Sequence, residues 1–495
     1  MEAGTTRKPT LLQAAIPILF LIVLLYGSVV FFGSDASYGP NQIALILAAM
    51  VAVIVGMRNG FTWQQLQDGM VHGVGLAMGA IFILLVVGSL IGTWIMAGVV
   101  PTMIYYGLQI LSPKIFYAAC CLICALVALA TGSSWTTAST VGIALIGIAV
   151  AFQLSTAIAA GAIISGAYFG DKLSPLSDTT NLAPAMTGTD LFTHIRHMLW
   201  TTLPSITIAL ILFTVIGFFS TPSGEGASLQ VMLDSLSESF NIGWYLLLPL
   251  GAVLFMIVKK VPAFPALLIG ALLGGIFAVI FQQEAVLGYV GETDLPRALA
   301  LLKGLWMALF GGFVAATGNA ELDELLSGGG MQSMLDTVWL IVSAMMFGAV
   351  MEKTGMLEVM ASRILSMAKG TGGLIASTLA TSIGANIIAS DQYIAIVVPG
   401  RMFRAEFVKR KLDPKNLSRA LEDAGTLTSP LVPWNTCGAF MATTLGVATF
   451  AYLPFAFFNL MNPVISAIYG FTGFTIVPLE EGEEELAAAA ALKPA

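Results

Sequence analysis

An all-α polytopic membrane protein is the fold class the sequence predicts, and three observations carry it. Hydrophobic residues make up 57% of the chain against 10% charged residues, and the mean hydropathy is +0.89. Apolar stretches of the length a helix needs to cross hydrocarbon, about 17 to 25 residues, recur from residue 11 to residue 475. Backbone polar groups in lipid must be satisfied within each crossing element, so these stretches are expected as helices in a bundle. The same composition excludes a soluble domain and gives no reason to expect nucleic-acid binding. The net charge of -7 owes much to the run Glu480 to Glu485, read as a solvated acidic tail.

The first run, about Leu11 to Gly33, follows Arg7 and Lys8 and exceeds a signal-peptide core, which suggests a retained helix with a cytoplasmic N-terminus in a cell (inner) membrane. A second run, Asn41 to Met57, is expected to return with Arg58 inside and Asp35 outside. Further along, Gly170-x-x-x-Ser174-Pro175-Leu176 recurs as Gly425-x-x-x-Ser429-Pro430-Leu431, with Thr180 and Asn181 after the first copy and Asn435 and Thr436 after the second. Gly69-Met70 is matched by Gly330-Met331, and Thr131 to Trp135 is paired with Gly384 to Asn386. These matches divide the chain into N-terminal transmembrane helices (1–59), a first repeat (60–220), linking helices (221–319), a second repeat (320–475) and the acidic tail (476–495).

Charge placement orients the copies. Arg401, Arg404, Lys409, Arg410, Lys411, Lys415 and Arg419 mark the second copy's connecting segment as cytoplasmic, whereas its counterpart 151–156 carries no Lys or Arg. Equivalent loops on opposite sides are what an inverted-topology repeat with re-entrant hairpins and discontinuous helices predicts, and such repeats hold their substrate near the midplane. Between the copies, Trp244 to Val258 and Pro262 to Phe281 are expected to meet at cytoplasmic Lys259 and Lys260. Residues 295–326, interrupted at Gly311-Gly312, fit a re-entrant, interfacial or crossing element equally. Gly75-x-x-x-Gly79 and Gly270-x-x-x-Gly274 are assigned to helix packing. Cys120, Cys121, Cys124 and Cys437 lie in apolar segments and read as free packing thiols.

Four polar clusters are candidates for the working site. Ser133, Ser134 and Thr136 (with Thr137) supply hydroxyls beside Gly132; their alternative reading is back-bonding to helix carbonyls. The run Gly170 to Pro184 carries Asp171, Lys172, Asp178, Thr180 and Asn181, and its repeat carries Asn435 and Thr436. The fourth cluster contains Asn386, Ser390 and Asp391. A charge at the bilayer centre costs several kcal/mol, so acids there are expected to face a cavity, a partner or an ion; a surface loop is the alternative for the first run. Pro175, Pro184, Pro430 and Pro433 interrupt helices and free carbonyl oxygens, which with the side-chain oxygens suit a hard cation such as sodium. Asp178 and Asp391 are the expected sodium ligands, where sodium and a proton would compete for one desolvated carboxylate. Asp391 could instead be tied to Arg401 or Lys172, and Lys172 could pair with Asp171 or replace the bound cation. Glu352 is a weaker candidate. His194 and His197 flank Arg196 in an expected cytoplasmic loop, as pH sensors or ordinary interfacial residues, and His72 has no evident partner.

The run Gly170 to Pro184, together with Ala389 to Tyr393, Pro399 to Phe403, Met351 to Gly355 and Pro101 to Gly107, resembles the NhaC family of sodium/proton antiporters over most of the chain. That resemblance implies sodium and protons as transported species with no cofactor, an elevator-like movement and a homodimer. The same family includes exchangers of malate and lactate, so a coupled carrier of small carboxylates is the alternative. No zinc-protease, nucleophile-elbow or phosphate-loop motif is present, which argues against an enzyme.

Overall fold

The computed structural model describes residues 6–32, 36, 38–220, 226–291, 294–318 and 320–479; Asp35 and the run Glu480 to Glu485 lie outside them. Among the described residues the regular structure is helical, with two isolated bridges at Phe313–Gly328 and Leu412–Pro478. Nine helices are long and apolar enough to cross a membrane among the described residues, or up to eleven if two sharply bent pairs each count as one span.

The N-terminal pair is α1 (Leu11–Phe32) and α2 (Pro40–Arg58). Buried Ala44, Ala48, Ala49 and Ala52 give α2 a face of small residues, which lets α18 (Leu335–Lys353) approach it closely. The first unit then runs α3 (Trp63–Leu76), α4 (Met78–Met96), α5 (Val99–Ile110), α6 (Phe116–Thr131), α7 (Ser134–Thr137), a π-helical turn 138–142, α8 (Ile143–Ala151), α9 (Thr156–Leu173), α10 (Asp178–Thr187) and α11 (Leu191–Phe219). Thr62 starts α3 with a reciprocal capping pair to Gln65, which satisfies two otherwise orphaned donors. The linking helices are α12 (Gly226–Ser239), α13 (Leu248–Val258), α14 (Ala263–Phe281), α15 (Gln283–Val290), α16 (Arg297–Gly311) and α17 (Ala320–Leu325). The second unit follows α18 with α19 (Met356–Ser366), α20 (Gly370–Ile388), α21 (Gln392–Lys409), α22 (Pro414–Leu421), a π-helical segment 422–426, α23 (Thr436–Leu445), α24 (Thr449–Tyr452) and α25 (Phe457–Thr472).

The two units share a succession of elements and of special backbone positions. Left-handed Gly98 (φ 77°) precedes α5 and left-handed Gly355 (φ 76°) precedes α19. Helices α10 and α23 have ten residues each and end at left-handed Gly188 and Gly446. Each hairpin bends at a left-handed residue followed by an N-cap, Gly132–Ser133 in the first and Ser390–Asp391 in the second. This shifts the register read from sequence, which paired Gly132 with the Gly384 region. Gly384 lies inside the continuous helix α20, and Ser390 (φ 60°) takes the strained turn position that glycine normally fills.

Several other expectations are revised. Gly75 and Gly79 meet no neighbouring element, whereas Gly270 and Gly274 do pack, against Trp94 and its surroundings, with Trp94 Nε1 donating to the Gly270 carbonyl. His194 and His197 are buried within helix α11, not set in a loop, because the polar surface of α22 covers that face. His72 is an exposed residue of α3. The segment 295–326 divides into α16, a bridged extended stretch and α17; α16, about 22 Å long at the usual rise per residue, is short of a full crossing. The four cysteines are buried and free.

Candidate functional site

Asp171, Asp178 and Asp391 line one cavity of about 650 Å³. Its walls come from both units: the tip of the first hairpin (Gly132 to Thr136), the break between α9 and α10 (Pro175 to Thr179), the tip of the second hairpin (Asp391 to Tyr393) and Thr436. The α3–α4 junction and Lys260 with its neighbours between α13 and α14 complete the lining.

Each acid is held by neutral donors. The first hairpin re-enters its helix through Ser133, whose hydroxyl accepts from Thr136 N at 3.1 Å. That turn aims the next residue at α9, and Ser134 donates both its N–H (3.0 Å) and its hydroxyl (2.7 Å) to Asp171 Oδ2. Asp391 caps α21, with Oδ1 accepting from the N–H groups of Tyr393 (2.9 Å) and Ile394 (3.0 Å). Asp178 opens α10 after the Ser177 cap and accepts from the Tyr393 hydroxyl at 2.9 Å, a bond that crosses from one unit to the other. Asp391 sits at the N-terminus of α21 with two backbone amides pointing at it, Asp171 receives one amide and one hydroxyl from Ser134, and Asp178, in the first turn of α10, receives the Tyr393 phenol. None of them forms an ion pair with Lys or Arg among the described residues, so neither Arg401 nor Lys172 ties Asp391.

The remaining candidates separate into two groups. Ser133, Ser134, Thr136 and Thr436 line the cavity with the acids. Thr137, Ser139 and Thr140 instead donate back to helix carbonyls, as the structural alternative anticipated for such residues. Thr180, Asn181, Asn386, Ser390 and Asn435 lie outside the lining and brace the breaks. Thr180 Oγ1 donates to the carbonyls of Asp171 (3.3 Å) and Lys172 (3.0 Å), and Asn181 to those of Pro175 (3.0 Å) and Ser177 (2.6 Å). Asn386 donates to the Gly425 carbonyl at 2.7 Å, and Asn435 donates to Asn386 Oδ1 at 3.1 Å. Ser390 offers its carbonyl to Thr436 N at 3.0 Å. The carbonyls of Asp171, Lys172, Pro175, Ser177 and Gly425 at the two breaks thus each accept from a protein donor.

Lys172 leaves the cavity altogether. Its ammonium group pairs with Asp423 and reaches Asn462 Oδ1 at 3.1 Å, and both members of the pair are fully buried. Its sequence neighbour Asp171 is not its partner, because consecutive residues near a helix end project to different faces. Glu352 is exposed at the end of α18. Sequence reasoning missed Ser177 and Tyr393 as working residues, although a serine three residues before Thr180 at a helix start was a legible cap signal. It also missed the stacking of Trp135 on Phe440, ring centroids 4.0 Å apart, which clamps the first hairpin to α23.

The model of the Na+/H+ antiporter family matches residues 166–474, the stretch that contains both breaks and the second hairpin. The chain belongs to that family. It is 40% identical to the Na+/H+ antiporter NhaC of Alkalihalophilus pseudofirmus over 88% of this chain and 91% of that one. It is 38% identical to the malate-2H+/Na+-lactate antiporter of Bacillus subtilis, over 94% of this chain and 96% of that one. A third relative, the arginine/ornithine antiporter ArcD of Halobacterium salinarum, is 36% identical over 98% of this chain and 97% of that one. For this antiporter-family chain, the family match covers Asp171, Asp178 and Asp391 and leaves Ser133, Ser134 and Thr136 of the first hairpin outside.

Proposed function

We propose that this protein exchanges sodium for protons, with Asp178 and Asp391 as the groups that hold one cation or the other and Asp171 completing the acidic cavity. The observation that carries the reading is the convergence of three unpaired carboxylates from both units on one cavity. A carboxylate that keeps only neutral donors can be balanced by sodium or by a proton in turn, so the two compete. Ser133, Ser134, Thr136 and Thr436 are proposed to supply further oxygen ligands to a dehydrated sodium ion. Thr180, Asn181, Asn386, Ser390 and Asn435 are proposed to hold the broken helices in the shape the site needs.

The parallel succession of elements supports an inverted repeat over 60–220 and 320–475, and with it alternating access by an elevator-like shift of the hairpins and breaks against the remaining helices. With Arg7, Lys8, Arg58, Lys259 and Lys260 taken as cytoplasmic, the N-terminus lies on the cytoplasmic side of a cell inner membrane, and Lys260 in the lining places the cavity's access on that same side. A homodimer in the lipid bilayer is part of the same reading.

Dye-reported proton movement in proteoliposomes given sodium, lithium or potassium tests it. Sodium should drive proton efflux in the native protein, and Asp178→Asn or Asp391→Asn should abolish it while each variant stays folded and monodisperse in detergent. Sodium-driven efflux retained in both variants would remove the competition model. A second reading, coupled exchange of small carboxylates, is favoured by a cavity far larger than one bare ion and by the malate/lactate relative. Adding malate, lactate and arginine in turn separates the readings, because a plain cation exchanger ignores all three.

A further inference from the structure

Behind the acidic cavity lies a second buried polar cluster that the exchange chemistry above does not use. Lys172, Arg419, Glu422 and Asp423 are all fully buried there, beside buried His194, Asn459, Asn462 and Ser466. Most of its charge is accounted for. Lys172 is paired with Asp423, Thr201 donates to Asp423 Oδ1 at 3.0 Å, His194 Nδ1 lies 2.7 Å from Ser418 Oγ, and Arg419 donates to Thr475 at 2.9 Å. Single atoms of Asp423 (Oδ2) and His194 (Nε2) and two of Arg419 (Nε, Nη2) lack a hydrogen-bond partner among the described residues, but Glu422 is the charged group of the cluster in which neither terminal oxygen has one.

An ionised, unpaired carboxylate in such a place costs several kcal/mol, and removing its charge costs only a proton. Lys172 is already committed to Asp423, the chain neighbour of Glu422, and Arg419, three residues earlier, is the other fully buried cation of the cluster. On the elements packed around Glu422 the other ionisable groups are Tyr168 of α9, Asp178 of α10, His194, Arg196 and His197 of α11, Tyr393, Arg401, Arg404, Glu406 and Lys409 of α21, Lys415 and Arg419 of α22 and Tyr469 of α25. Asp171 borders the cavity, and its chain neighbour Lys172 is paired with Asp423, the chain neighbour of Glu422, so the two settings adjoin.

We infer that Glu422 carries a second exchanged proton, which a sodium ion entering the cavity beside Asp171 drives off. The balance closes: one positive charge arrives next to Asp171, the Glu422 O–H bond breaks, and the proton leaves past Asp171 to cavity water. The buried charge is then the same before and after. This rests on the sodium/proton reading above and adds to it a proton held apart from the sodium ligands.

The test is the number of protons released per protomer when sodium is added to the purified full-length protein in weakly buffered detergent, read with a pH indicator. Turnover is not needed for that readout. Glu422→Gln should release one proton fewer than the native protein and should shift the pH profile of release; Glu422→Asp should restore the missing proton. Native release from Glu422→Gln, or no rescue by Glu422→Asp while sodium still protects both variants against thermal unfolding, would overturn the assignment. Loss of all release in the native protein would instead sink the underlying sodium/proton reading, so the two failures are distinguishable.

Discussion

At the scale of single residues, the cavity is governed by how each carboxylate is stabilised without a basic partner. The Tyr393 hydroxyl is the one side-chain donor that Asp178 receives across the two units, and a hydrogen bond to a charged group is worth about 1.5–3 kcal/mol when well shielded. Asp178 is exposed to the cavity, which reduces that figure. Tyr393→Phe is therefore expected to strengthen proton competition and raise the sodium KM at fixed pH by about threefold to tenfold, at roughly 1.4 kcal/mol per factor of ten. Initial rates of sodium-driven proton efflux check this, and an unchanged KM would mean that the phenol does not tune Asp178.

At the scale of elements, the breaks and hairpin tips depend on caps and on left-handed turns. Ser177 opens α10 by accepting from Thr180 N, so Ser177→Ala is expected to lower stability by about 1 kcal/mol, measured by thermal unfolding in detergent. Gly132 sits at φ 68° with Leu176 and Ser177 packed where a Cβ would go, so Gly132→Ala combines backbone strain with a clash and should lower transport more than Ser177→Ala does. At the entry to α11, the Thr193 N–H holds the Asp190 carboxyl below the usual aspartate range. Its folded-state pKa is depressed, so the cap's contribution is present above the usual aspartate pKa and is lost as pH falls through the lower folded value. Asp190→Ala should accordingly narrow the stability difference between neutral and acidic buffer.

At the scale of the whole molecule, the fully buried Lys172–Asp423 pair links α9 of the first unit to the π-helical segment of the second. Removing one partner of such a pair leaves an uncompensated charge and costs about 3–5 kcal/mol, whereas replacing both by apolar residues is often neutral. Lys172→Met is expected to unfold or sharply destabilise the protein, and Lys172→Met with Asp423→Leu to recover much of that loss, as thermal unfolding would show. Equal damage in the single and double variants would assign the pair a role beyond charge compensation.

The membrane class, the positions of the long helices and the two Ser-Pro-Leu breaks were legible in the chain, because apolar run length and helix-breaking residues act locally. Asp171, Asp178 and Asp391 stood out for the same reason: an acid within an apolar run is conspicuous whatever surrounds it. Which of the flanking polar residues line the cavity was not legible. Thr136 and Thr140 are the same residue type on one helical stretch, yet one faces the cavity and the other bonds back to a carbonyl. The turn at Ser390 escaped notice because a left-handed conformation leaves no mark on a serine. The pairing of Lys172 with Asp423, 251 positions away, and the bond from Tyr393 to Asp178 are contacts between distant segments, and only packing decides them. Sequence by itself determined where charges are costly; the tertiary structure decided which of those charges are matched and which are left free to bind, since compensation depends on distances that chain order does not encode.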